Sequence, residues 1–227
     1  MNLEAHYNTL WDDSLKGFQQ GKYEYDPLID DTEDYRFGIT LVIRPSEEVK
    51  GAVQQFLQTI KALEPEQYYY PTSDLHITVM SIISCYQGFS LDAINQQEYT
   101  AVLKSIAATI KSFTITFKGI TASPSAVMVQ GFPSDEMLQE LRDKLRSYFK
   151  NSPLEHSMDK RYTIQTAHST VLRFRAPLRH PAQFLNQLTK YRTHDFGSFT
   201  ADRLELMYND WYQRKEKVQL LETFQLA

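Results

Sequence analysis

The sequence predicts one bilobal domain of mixed strands and helices, with a cleft between two similar halves. Three observations predict it. First, one unit occurs twice in the same order: a strand, a Pro-Ser-acid-Glu helix start, an amphipathic helix, and a strand carrying His-x-Thr-Val. Second, its landmarks are similarly spaced, with Ser46 leading His76 by 30 residues and Ser134 leading His168 by 34. Third, no Gly/Ser-rich linker separates the copies, so they read as one domain. A chain of 227 residues with 42% apolar content can bury a core of that size.

Taken in order, Leu3, Tyr7, Leu10, Trp11 and Leu15 recur at helical spacing near the N-terminus. The apolar run from Phe37 to Ile43 reads as a buried strand. Ser46 can cap the next helix, and Glu47 and Glu48 lie in its first turn, where the helix dipole favours acids. Val49, Val53, Phe56, Leu57 and Ile60 form its apolar stripe. Leu75 to Ile83 is a second strand, residues 96–111 a helix, Phe113 to Phe117 and Val127 to Val129 two more strands. After Pro133-Ser134-Asp135-Glu136 a helix follows with Leu138, Leu141, Leu145 and Tyr148 as its stripe. Ile164 to Phe174 is a strand, 181–191 a short helix, and strands near 199–208 and 217–226 close the chain.

The chemistry lies in His76-Ile77-Thr78-Val79 and His168-Ser169-Thr170-Val171. Side chains alternate faces along a strand, so His76 and Thr78 project together, as do His168 and Thr170. A single His-x-Thr-Val would read as an ordinary strand histidine; two in matched halves can converge on one cleft. Two imidazoles suit phosphodiester cleavage, one as general base and one as general acid, because an unperturbed pKa of ~6.5 makes both protonation states accessible. The threonine hydroxyls can donate to non-bridging phosphoryl oxygens. No metal or other cofactor is required. Zinc held by two histidines and a carboxylate is possible in principle, but threonine at +2 is not a usual ligand. Phosphate-loop, dinucleotide-binding, Gly-x-Ser-x-Gly and His-Glu-x-x-His signatures are absent from the sequence.

These motifs make the chain resemble the 2H phosphoesterases, a family named for two His-x-Thr/Ser-x motifs that includes bacterial 2′-5′ RNA ligase-like proteins and cyclic phosphodiesterases. The resemblance spans roughly residues 36–226. It implies an α+β fold with two pseudo-symmetric, antiparallel-rich sheets, outer helices and a central cleft. On that reading residues 1–35 are an acidic extension packed on the domain and 36–227 the domain itself. The implied activity is metal-independent cleavage at 2′,3′-cyclic phosphates, 2′-5′ linkages or RNA ends. His76 and His168 would be catalytic, and Thr78 and Thr170 would bind phosphate. Ser169 departs from the apolar residue common there. Arg173 stands where several relatives carry a basic residue, although strand parity points it away from the histidines. Further candidates for substrate contact are Arg36, Arg161, Tyr162, Tyr208 and Trp211. The acidic leader and Asn209-Asp210-Trp211-Tyr212 resemble a bacterial subgroup sometimes labelled mutarotase. Sugar mutarotation and nucleotide or RNA binding without turnover are therefore the alternative functions.

Charge refines the expected partner. The net −4 averages unlike regions. Residues 1–34 hold nine acids against Lys16 and Lys22, or −7. Residues 160–192 hold seven bases (Lys160, Arg161, Arg173, Arg175, Arg179, Lys190 and Arg192) and no acid, or +7. Local potential steers an anion, so the expected partner is a small nucleotide or RNA end, not long duplex nucleic acid. A single cysteine, Cys85, no apolar run of ~18 residues and no signal-like start fit a cytoplasmic chain away from membranes, and a monomer is expected.

Overall fold

The computed structural model describes residues 2–160 and 163–227. Among them are nine strands in two antiparallel sheets. The first sheet has the order β3-β1-β8-β9, made of β1 (Arg36–Ile43), β3 (Ile77–Gln87), β8 (Arg203–Asp210) and β9 (Gln219–Gln225). The second has the order β2-β6-β5-β4-β7, made of β2 (Tyr68–Tyr69), β4 (Phe113–Ser123), β5 (Ala126–Pro133), β6 (Ser169–Arg173) and β7 (Asp195–Ala201). The helices are α1 (Leu3–Gln19), α2 (Glu47–Lys61), α3 (Gln96–Ala107), α4 (Met137–Lys150) and α5 (Pro181–Lys190). None of the described helices is long and apolar enough to cross a membrane.

The two repeats are β1-α2-β3 and β5-α4-β6, and their helices cross over. Helix α2 leaves the first sheet and packs against β7 of the second, where Phe56 meets Phe196 edge-on at 5.8 Å. Helix α4 leaves the second sheet and packs with α3 beside β3 of the first, Tyr99 lying 5.9 Å from Phe149. Each sheet is thus covered by the other repeat's helix. Helix α1 lies on β4: the Ser14 hydroxyl donates to Ala122 O at 2.9 Å, and Thr121 Oγ1 donates to Tyr7 O.

Local chemistry explains most boundaries. Ser46 Oγ accepts from Val49 N and caps α2 as its position predicts. Ser134, its counterpart, does not cap α4. Its hydroxyl accepts from Thr114 N, and Asp135 Oδ1 takes Met137 N instead. On α4 the buried stripe is Leu138, Leu141, Arg142, Leu145 and Phe149, while Tyr148 is exposed. The strand expected over Ile164 to Phe174 shortens to β6. Guanidinium groups of α4 take the Ile164 and Thr166 carbonyls that a ladder would otherwise use. The strand expected near 199–208 is two strands in different sheets. Asp202 and Arg203, both exposed, shift the burial from odd to even positions, and the chain passes from β7 to β8 there.

Candidate active site

Both motif strands enter one cleft between the sheets. His76 directly precedes β3 and His168 directly precedes β6. His76, Thr78, His168 and Thr170 line a single cavity of about 150 Å³. Arg173 and Trp211 line it too. Arg36 and Tyr208 do not. Arg36 is held by Asp34 in two hydrogen bonds of 2.7 and 2.8 Å and sits over the Trp211 ring at 5.1 Å. Tyr208 stacks on Phe37 at 4.9 Å. Arg161 and Tyr162 lie outside the described residues.

The strands are bulged, and the bulges decide what faces the cleft. On β6, Met128 pairs with Thr170 and Val127 with Leu172, so Val171 is an extra residue. An extra residue reverses parity beyond it. Val171 and Leu172 are both buried, and Arg173 turns to the same side as Thr170. This corrects the simple parity expectation for Arg173. On β3, Leu41 pairs with Met80 and Val42 with Thr78, so Val79 bulges at the matching place. The residue corresponding to Arg173 is then Ser81. Further irregularities follow, and the partly exposed positions fall at Thr78, Ser81 and Ser84, all on the cavity wall. The pseudo-twofold site is therefore unequal: an arginine stands on one side and a hydroxyl row on the other.

Each imidazole is anchored through Nδ1. His76 Nδ1 lies 2.7 Å from Asp74 O, an acceptor only, so that nitrogen carries the proton and Nε2 is the other ring atom. His168 Nδ1 lies 2.6 Å from Thr166 Oγ1. Burial pushes the His76 pKa down to about 3, helped by Arg44 and by His168. Burial, then Arg142 and Arg173, push His168 down to about 4. Both rings are half-buried and face the cavity, so they are neutral near pH 7 yet in reach of a ligand. Arg173 donates Nε to Tyr70 Oη at 3.0 Å and lies 3.8 Å from Asp26.

Arg142, on α4, is not legible in the sequence as a site residue. It is 1% exposed. Nε donates to Val79 O at 3.0 Å, and Nη2 donates to Thr78 O at 3.0 Å and Thr166 O at 2.8 Å. One side chain thus ties the β3 bulge to the segment entering β6. Burial lowers its pKa to about 10, so it stays charged at neutral pH. A basic residue on an apolar helical stripe is the one signal available in sequence. Among the described residues no group of three or more His, Cys, Asp and Glu could hold a metal ion.

Two antiparallel sheets with paired His-x-Thr strands across one cleft define the class of protein. A model of the 2′-5′ RNA ligase superfamily matches residues 49–212, and the chain belongs to that superfamily. No curated protein sequence matches it. Solved structures share the fold at low identity. TT0787 of Thermus thermophilus has a TM-score of 0.60 and 16% identity, covering 83% of this chain and 97% of that one. A structure described as a phosphoesterase has a TM-score of 0.54 and 17% identity, covering 85% and 99%. E. coli LigT complexed with 3′-AMP has a TM-score of 0.54 and 14% identity, covering 85% and 99%.

Proposed function

We propose that the protein is a metal-independent phosphodiesterase. Its substrate is a nucleotide or RNA phosphodiester, either a 2′,3′-cyclic phosphate or a 2′-5′ linkage. The observation that carries this reading is the meeting of both His-x-Thr pairs in one cavity, each ring held through Nδ1. Membership of the superfamily supports it, as do LigT structures described with 3′-AMP, ATP and phosphate.

In the hydrolytic step one neutral imidazole takes a proton from water as the oxygen attacks phosphorus. The bond from phosphorus to the ribose oxygen breaks, and the second imidazole, protonated, gives that oxygen its proton. The two histidines exchange protonation states and are reset through solvent. Thr78 and Thr170 donate to the non-bridging oxygens, and Arg173 balances their charge. The depressed histidine pKa values fit this scheme: a bound phosphodiester anion favours the charged form of the ring beside it. Substrate thus recruits its own acid.

Incubation with 2′,3′-cyclic mononucleotides and 2′-5′ dinucleotides tests the reading. Product should form in the presence of EDTA, and His76→Ala or His168→Ala should lower turnover by ~10²-fold or more. Unimpaired turnover in His76→Ala refutes the assignment, and tight binding without product favours a binding protein.

A further inference from the structure

Arg173 lines the cavity, and 17% of its side chain is exposed. Its Nε donates to Tyr70 Oη at 3.0 Å. Its two Nη groups, the fork that a phosphate would take, make no hydrogen bond among the described residues. The carboxylate beside that fork belongs to Asp26, whose Oδ2 lies 3.8 Å from Nη1. The pair is ionic but too long for a hydrogen bond.

Asp26 comes from the segment between α1 and β1, outside both repeats and outside residues 49–212 matched by the superfamily model. Most acids of the first 34 residues are exposed, but Asp26 is partly buried. Three contacts fix it. Its backbone N–H donates at 2.9 Å to the carbonyl of Phe174, the residue after Arg173. Its Oδ1 accepts from Leu28 N at 3.1 Å and from the Tyr212 hydroxyl at 3.0 Å. Oδ2 is left turned to Arg173. The arginine lies over the Tyr212 ring at 5.7 Å, so one tyrosine braces both members of the pair. Asp34 and Arg36 show the contrasting arrangement. There two hydrogen bonds of 2.7 and 2.8 Å occupy the fork, and Arg36 does not line the cavity.

We propose that Asp26 is a positioning residue, which holds the Arg173 fork toward the cavity without occupying it. The proposal rests on the phosphodiesterase reading and adds to its phosphate site a residue from outside the two repeats. A guanidinium on a long stem, held at Nε alone, can still swing about that bond. A fixed carboxylate beside Nη1 selects one orientation. A donor already in place needs no reorganisation as charge develops on the non-bridging oxygens. At 3.8 Å the carboxylate guides the fork yet leaves its N–H groups for those oxygens. Asp26 is not on the cavity wall, so it acts through Arg173.

The test is a double-mutant cycle in the intact chain. Asp26→Asn removes the charge and keeps an oxygen for Leu28 N and the Tyr212 hydroxyl. It should raise KM for a 2′,3′-cyclic nucleotide and lower kcat/KM by ~5-fold, the cost of a displaced donor. Added to Arg173→Gln it should lower kcat/KM by less than ~2-fold further, since no fork is left to position. A purely structural role would multiply the two losses. Tyr212→Phe frees Asp26 Oδ1 and should shift KM the same way, which serves if Asp26→Asn does not fold. A KM unchanged or lowered in whichever of these variants folds, or losses that multiply, overturns the proposal. Cleavage indifferent to Asp26 would leave the phosphodiesterase standing. Where nothing is cleaved, that reading fails, and calorimetric titration with inorganic phosphate decides the role of Asp26. Affinity should then fall ~5-fold in Asp26→Asn, and unchanged affinity or no binding overturns the proposal.

Discussion

Replacing Arg142 with methionine removes three hydrogen bonds from a fully buried guanidinium while keeping an unbranched chain of similar reach. The bonds end on Val79 O, Thr78 O and Thr166 O. Hydrogen bonds from a charged donor contribute ~1.5 kcal/mol each at the low end, about 4.5 kcal/mol for the three. Apolar burial of the methionine offsets ~1.5 kcal/mol of this, leaving a loss of about 3 kcal/mol. With a urea m-value of ~3 kcal/mol/M, the unfolding midpoint should drop by about 1 M. Turnover should fall as well, because a displacement of ~1 Å at the site can cost ~10²-fold. Arg142→Lys keeps a charge but presents no planar fork, and should recover only part of either loss. A methionine variant whose midpoint stays within ~0.2 M of the parent would show that these bonds add nothing net. The two motif strands would then be held together without help from Arg142.

Three other outcomes are expected. With the folded-state pKa values of His76 and His168 lowered to about 3 and about 4, the unfolded chain binds more protons between ~6.5 and those values. Stability is therefore full above ~6.5 and declines as pH falls through 5 towards 4; urea midpoints across that range should show it, with a flatter profile in the double alanine variant. Gly38→Ala should destabilise by ~1–3 kcal/mol, since the strand beside it must move to admit a methyl group; an unchanged melting temperature would contradict this. Arg173→Gln should raise KM for a cyclic nucleotide and lower kcat/KM by at least ~10-fold, the cost of losing a charged bond to phosphate; unaltered steady-state constants would remove Arg173 from the phosphate site.

What the sequence reveals and what it hides follow from the range of each interaction. The Ser46 cap, the α2 stripe and the pairing of each histidine with the threonine two residues on are local, and local periodicity finds them. The expectation for Arg173 rests on a parity that holds only in a regular strand. The bulge at Val171 depends on pairing with β5, which no short window contains. A faint trace is present: Val171-Leu172 and Val79-Met80 are adjacent apolar pairs at matching places after the two motifs. Arg142 is hidden because its partners are backbone carbonyls 63, 64 and 24 residues away. Asn209 and Gln213 read as polar turn residues in sequence, and only the fold shows them to be buried. Tyr208 looks like a stacking platform and is one, but for Phe37.

The exchange of helices between the repeats bears on how such a chain could be divided or built. Cut between the halves, the first sheet would be split between β1 and β8, and each fragment would carry a helix whose apolar stripe has no seat. Two copies of a single half could satisfy each other by reciprocal exchange, as swapped protomers do. The chain has the internal logic of a swapped dimer written as one polypeptide. Its halves should complement each other when mixed as fragments, although neither should fold alone.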